Sequence, residues 1–107
     1  MIIKYNIEVS KDTIAKSLTR LTNQTYKLLP NWEEGIDWIK PLETIIEEFV
    51  GMSRLLLLRE DLFFTLLCKL EGLFVFVEKD NFFLFRRSIF DCLGLINEIK
   101  VYIDKEI

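Results

Sequence analysis

The residues best suited to chemistry or recognition are concentrated between Leu29 and Glu43, in the stretch LPNWEEGIDWIKPLE. This stretch contains both prolines and both tryptophans of the chain, together with four carboxylates. Tryptophan is enriched at the energetic centres of protein interfaces, and carboxylates steer a partner of opposite charge. We therefore predict that a partner binds here. The predicted contact residues are Trp32, Glu33, Glu34, Asp37 and Trp38.

The same stretch also has a structural interpretation. The two tryptophans would close one end of a helical bundle and pack on its core. Gly35 would adopt the positive φ of a turn, which other residues rarely do. Asp37 would cap the helix that follows. The two interpretations are compatible, because a segment can pack on the core with one side and bind with the other.

Most catalytic and metal-binding chemistries lack their residues in this sequence. The absence of histidine excludes Ser-His and Cys-His nucleophile pairs and the histidine-bearing zinc and di-iron sites. The four glycines are isolated, so there is no Gly-rich phosphate loop. Two cysteines alone cannot complete a structural zinc site.

Paired carboxylates are the one catalytic or cation-binding chemistry that remains. The two groups are Glu33, Glu34 and Asp37, and Glu43, Glu47 and Glu48. A capping role and a solvated helix face explain both groups more simply, and the ligand order of a calcium loop is missing. We therefore expect a protein that is not an enzyme and that holds no metal or cofactor.

Arg86 and Arg87 form the second candidate site. Consecutive residues of a helix point about 100° apart, so we expect at most one of these arginines to face the interior. An inward arginine would need a carboxylate partner, which the 29–43 stretch would supply. The alternative is an anion site, in which an arginine and an aromatic ring such as Tyr26 hold the phosphate and base of a signalling nucleotide.

Nucleic acid is not an expected partner. Lys16, Arg20 and Lys27 share one face of a predicted helix, but the chain has a net charge of −3. Proteins that bind nucleic acid usually carry a dense basic stripe. A solvated helix face is the better explanation of these three residues.

The spacing of apolar residues predicts an all-α fold, a compact bundle of about four helices in one domain over residues 1–107. Prolines are expected to separate the first two helices. The predicted helices run from the N-cap Ser10 to Pro30, from near Pro41 to about Ser53, from about Glu60 to Phe74, and from about Asn81 to Tyr102.

Two segments have more than one interpretation. Alternation of Ile3, Tyr5, Ile7 and Val9 with polar residues predicts a short extended N-terminal strand, which would join a partner's edge or stay merely extended. The segment LFVFVEKDNFFLF, residues 73–85, also fits two strands around a turn. We favour a helix over the second half of this segment, because apolar residues continue at helical spacing for five turns after Phe82.

The composition points to self-association. Half of the 107 residues are hydrophobic, nine are Phe, and the mean hydropathy is +0.22, yet no apolar run reaches the roughly 20 residues of a membrane span. The start of the chain does not fit a signal peptide. We therefore expect a cytoplasmic protein that forms a homo-oligomer, most simply a dimer, through apolar faces of helices three and four. Cys68 and Cys92 are expected to be reduced core thiols.

Three stretches together resemble small uncharacterised proteins of phages and prophages in low-GC Gram-positive bacteria. They are LTRLTNQTYKLLPNWEEGIDWIKPLETIIEEFVGM, LLCKLEGL and FRRSIFDCLGLINEIK. The resemblance covers residues from about 16 to 100 and implies a context rather than a chemistry. Such proteins often bind and block a host factor, including components of antiviral defence, in the host cytoplasm. A protein that sequesters a small signalling nucleotide at a subunit interface is the alternative, and a structural subunit of a particle is the third hypothesis.

Overall fold

The protein is described by a computed structural model over residues 2–4, 7–9, 11–55, 60–77 and 81–106. Four α-helices dominate it, and the predicted all-α bundle is confirmed. The elements are β1 Ile2–Lys4, β2 Ile7–Val9, α1 Lys11–Glu33, α2 Ile39–Leu55, α3 Glu60–Gly72, a 3₁₀ segment Leu73–Val77, and α4 Phe82–Glu106.

The helices form a ring in which each one packs on its neighbour in sequence and α4 returns to pack on α1. Neighbours run antiparallel. Arg20 of α1 lies 2.8 Å from Glu48 of α2, and Lys100 Nζ of α4 donates to Thr19 Oγ1 of α1 at 3.2 Å. The result is an up-down-up-down four-helix bundle with dimensions of 44 × 22 × 20 Å.

One continuous core fills the space between the four helices. Its members recur at intervals of three and four residues, as an inward helix face requires, and on α4 they include Phe85, Ile89 and Ile96. Thr25 is the buried polar residue among those described. Its hydroxyl donates to the carbonyl of Leu21 at 2.8 Å, so this polar group causes no desolvation penalty.

Pro30 lies inside α1, so the prediction that the first helix ends there is wrong. Proline lacks the N–H for one helical hydrogen bond, but its fixed φ is compatible with a helix. The helix instead ends at Glu33, and Gly35 follows in the turn with a φ of 72°. The N–H of Ile36 donates to the carbonyl of Asn31 at 2.8 Å, and that of Gly35 to Trp32 at 3.4 Å. These two bonds form a Schellman motif, the usual way for a glycine to end a helix.

The N-terminal segment contains two strands rather than one. β1 and β2 pair antiparallel, with Ile2 opposite Val9 and Lys4 opposite Ile7. Alternation of polar and apolar residues continues through both strands, so it could not distinguish one strand from a pair. Tyr5, Asn6 and the predicted N-cap Ser10 lie outside the described residues.

The ambiguous segment 73–85 contains no strand among its described residues. α3 ends at Gly72, two residues before the predicted end, and passes into the 3₁₀ segment. The carbonyl of Asn81 accepts from the N–H of Phe85 at 3.1 Å, and its side chain accepts from the N–H of Leu84 at 3.1 Å. Asn81 therefore caps α4. Residues 78–80 lie outside the described part.

The two cysteines have different environments, and both thiols are free. Cys92 is buried, as predicted, and burial raises the pKa of its thiol to about 12 because the low dielectric disfavours the thiolate. Cys68 is exposed, so its prediction as a core thiol is wrong. It lies one helical turn after the exposed Phe64, while Leu66 and Leu70 occupy the inward side of α3.

Candidate protein-binding site

Five aromatic rings meet at the end of the bundle where α1 stops and α4 begins, and Phe85 is the centre of this aromatic cluster. Trp32 stacks on Phe85 with ring centroids 5.0 Å apart and planes 14° apart. Trp38 and Phe76 approach the same ring edge-on, at 5.1 and 5.4 Å, and Phe82 lies 5.8 Å from Trp32. Such pairs add about 0.5–1.5 kcal/mol each beyond the burial of their area.

The backbone places both tryptophans by a short turn. Trp32 lies in the last turn of α1, and its carbonyl accepts one of the two bonds of the Schellman motif. Asp37 accepts a hydrogen bond from the N–H of Ile39 at 3.0 Å and so caps α2, as the sequence predicts. Trp38 is the next residue, and its carbonyl accepts from the N–H of Leu42 at 3.1 Å. The cluster is therefore held from both helices.

The structure separates the five predicted contact residues into two groups. Trp38 is only 9% exposed, so its prediction as a surface anchor is corrected: its ring packs edge-on against Phe85 and belongs to the core. Trp32 is partly buried and keeps one edge at the surface, while Glu33, Glu34 and Asp37 are exposed. The tryptophan-rich stretch thus closes the bundle, as its structural interpretation predicts.

Both arginines of the second candidate site are exposed, so neither needs a buried partner. No ion pair joins Arg86 or Arg87 to the three carboxylates between residues 33 and 37, all of which the structure describes. Arg86 instead lies over the ring of Phe90, 5.1 Å from its centroid. Tyr26 approaches the same ring edge-on at 6.4 Å. The predicted Arg86 and Tyr26 are therefore brought together through Phe90, and Arg87 is not part of this contact.

Sequence reasoning missed the apolar side chains that lie exposed at this end of the bundle. Phe83 is 79% exposed, and its ring lies 6.1 Å from that of Phe82, which links it to the aromatic cluster. The run FFLF at the start of α4 contained the signal, because four consecutive helical residues cannot all face inward. Three more residues at the same end are about half exposed: Ile36, Val75 and Leu84.

The charges at this end oppose the dipole of α1. The last turn of a helix favours a cation, worth about 0.3–1 kcal/mol, but the last turn of α1 contains no basic residue and ends in Glu33. Glu34 follows directly. Neither carboxylate has an ion-pair partner among the described residues. A cationic group placed here from outside would therefore be stabilised by two carboxylates and by the helix terminus.

The basic face of α1 is solvated, as predicted, and partly neutralised. Arg20 donates to Glu48 Oε1 at 2.9 Å, and this hydrogen bond, with the adjacent negative charge, raises the pKa of Arg20. Within the described residues there is no group of three or more acidic or cysteine side chains arranged to hold a metal. None of the described helices has the apolar length to cross a bilayer.

Comparisons of this chain with protein-family models, with curated proteins and with solved structures find no match. The function therefore has to be argued from the geometry of the chain itself.

Two phenylalanines that are two residues apart in α4 test the division between core and surface. Phe85 is fully buried and Phe83 is 79% exposed. We expect Phe85→Ala to lower the free energy of unfolding by about 3–5 kcal/mol and Phe83→Ala to change it by no more than about 0.5 kcal/mol. Urea denaturation followed by circular dichroism measures both. Equal losses in the two variants would contradict the described packing.

Proposed function

We propose that this protein is a non-enzymatic binding protein that recognises a basic protein partner through the aromatic and acidic end of its bundle. This binding end comprises the exposed Phe83, Ile36 and Leu84, with Glu33 and Glu34 beside them. The single observation that carries the proposal is Phe83, a large apolar side chain that is 79% exposed and next to the rigid aromatic cluster.

Support from packed neighbours is the first reason that this end suits binding. Ordering a side chain at an interface costs about 0.5–1.5 kcal/mol, and a contact with packed residues restricts the side chain before the partner arrives and so reduces this cost. Phe83 lies in the same helix as Phe85. Its ring contacts the ring of Phe82, and Phe82 packs on Trp32. The remaining exposed edge of Trp32 adds a ring of the type enriched in binding hot spots.

Electrostatics supply the second reason. Glu33 and Glu34 repel the carbonyl end of α1, so they weaken the helix while the partner is absent. A lysine or arginine from a partner would relieve that repulsion and would also be drawn in by the long-range field. The proposal therefore specifies a basic surface with an apolar pocket that accepts a phenyl ring.

The resemblance to small phage and prophage proteins supports a host protein as this partner. A protein that acts by occupying a host factor needs a surface and no catalytic group. We therefore propose that the partner is a component of host antiviral defence and that binding blocks it in the host cytoplasm.

Affinity capture from the lysate of a low-GC Gram-positive host tests this function. The tagged protein should recover a basic protein whose yield falls at least about tenfold for Phe83→Ser, because loss of a hot-spot residue costs about 2 kcal/mol or more. Glu34→Lys should cause a similar loss because it reverses the charge that the partner faces.

Phe64→Ser is the matched control, since Phe64 is 70% exposed but lies near the start of α3, away from the binding end. Recovery should be unchanged in this variant. Recovery that is equal for Phe83→Ser, Glu34→Lys and Phe64→Ser would contradict the proposed site.

A second candidate function is the sequestration of a small signalling nucleotide. The observation that favours it is the contact between Arg86, Phe90 and the exposed Tyr26. A guanidinium binds a phosphate by charge-assisted hydrogen bonds, and an exposed aromatic ring accepts a base by stacking, worth about 1–3 kcal/mol for each base.

Isothermal titration calorimetry against a panel of cyclic mono- and dinucleotides tests this second function. One member should bind with measurable heat, and Arg86→Ala should weaken it at least about tenfold, since a hydrogen bond to a charged group contributes about 1.5–3 kcal/mol. Arg87→Ala is the control that should retain binding. The absence of heat for every member would contradict this function.

A further inference from the structure

The outward face of α4 carries a stripe of exposed residues. At about 100° for each residue, Arg87, Phe90, Gly94 and Val101 fall within about 40° of one direction. That direction is opposite to the buried Ile96 and the rest of the inward face. Phe90 is 44% and Val101 is 42% exposed. We call these four residues the α4 stripe.

Gly94 lies at the centre of the α4 stripe, and its own chain gives no reason for a glycine there. A glycine inside a helix costs about 1 kcal/mol relative to alanine. A Cβ placed on Gly94 would meet no neighbouring group within 4 Å, so packing inside the bundle does not require the missing side chain. A second helix that approaches the stripe would benefit, because glycine allows backbones to come close.

The charges beside the stripe indicate how a second helix would be oriented. Arg87 and the exposed Glu98 lie on this side of α4, before and after Gly94, about 16 Å apart along the axis. They are too distant to pair within one chain. If a second α4 packs antiparallel about a two-fold axis between residues 92 and 93, each Arg87 lies opposite Glu98 of the partner subunit. A parallel arrangement would place Arg87 against Arg87 instead.

We infer that two copies of this chain form a dimer through their α4 stripes, with the two helices antiparallel about a two-fold axis between residues 92 and 93. Such an interface is isologous, so the contact between Arg87 and Glu98 of the partner subunit occurs twice. Phe90 packs beside Gly94 of the partner subunit, where the absent side chain leaves room. The α4 stripe from Arg87 to Val101 is about 21 Å long, so the contact extends along about half of the 44 Å length of the bundle.

This inference makes the self-association expected from the sequence specific to one face. It assigns the contact to α4 alone and leaves the exposed side of α3 outside it. Phe83 falls on the same side of α4 as the α4 stripe but lies one turn before Arg87, outside the stripe. The dimer is measured by its Kd and the proposed function by the recovery of a basic protein, so failure of one is distinguishable from failure of the other.

Reversing the charges of Arg87 and Glu98 and measuring the Kd of the dimer by sedimentation equilibrium tests the dimer. The unmodified protein should be a dimer at micromolar concentration. Arg87→Glu and Glu98→Arg should each raise the Kd of the dimer at least about tenfold, because each places like charges together twice and 1.4 kcal/mol corresponds to a factor of ten. The double variant R87E/E98R should return to within about threefold of the unmodified protein. A double variant whose dimer Kd stays as high as that of the single variants would overturn the antiparallel pairing.

Gly94→Leu provides a second test that does not depend on charge. Leucine is the better helix former, so this variant should unfold at no lower urea concentration than the unmodified protein while its dimer Kd rises at least about thirtyfold. Gly72→Leu is the control, since Gly72 is also exposed and without close neighbours but lies at the end of α3. A monomer at every concentration, a larger open assembly, or a dimer whose Kd does not respond to Gly94→Leu would overturn the inference.

Discussion

The stacking of Trp32 on Phe85 is the interaction on which the rest of this structure depends. It joins the last turn of the first helix to the first turn of the last helix and thereby closes the ring of four helices. Phe85 also receives the edges of Trp38 and Phe76, so one buried ring collects contacts from every element at this end. The backbone of the exposed Phe83 is held in place because Phe85, two residues later in the same helix, is packed in the core.

The core and the two proposed interfaces use different parts of α4. Its inward side, which includes Phe85 and Ile96, fills the core. Its first turn presents Phe83 at the binding end of the bundle, and its outward side presents the α4 stripe around Gly94. A 25-residue helix in a bundle of 107 residues cannot be covered on every side by three neighbours. The uncovered sides are where apolar side chains remain for other molecules.

Much of the fold could be predicted from the sequence, because the periodicity of the apolar residues directly reports the buried faces of the helices. The end of α1 could not be predicted from Pro30, because a proline can also lie inside a helix, and the Gly-Ile-Asp turn marks the end instead. The exposure of Cys68 could not be predicted, because small apolar residues occur on both sides of a helix as apolar as α3. For the site, spacing identified the acidic tryptophan-rich stretch and its cap at Asp37. It could not show that Trp38 turns inward, because that depends on the distant Phe85.

Amide hydrogen exchange at Ile36 is the most direct measurement of the central claim, that the aromatic cluster holds this end of the bundle rigid. The Ile36 N–H donates to Asn31 across the turn between the two tryptophans. If the cluster fixes the turn, this amide should exchange only when the protein unfolds globally, with the same free energy as the core amides of α4. Exchange at the rate of an unstructured peptide, in a protein whose core amides stay protected, would contradict the claim.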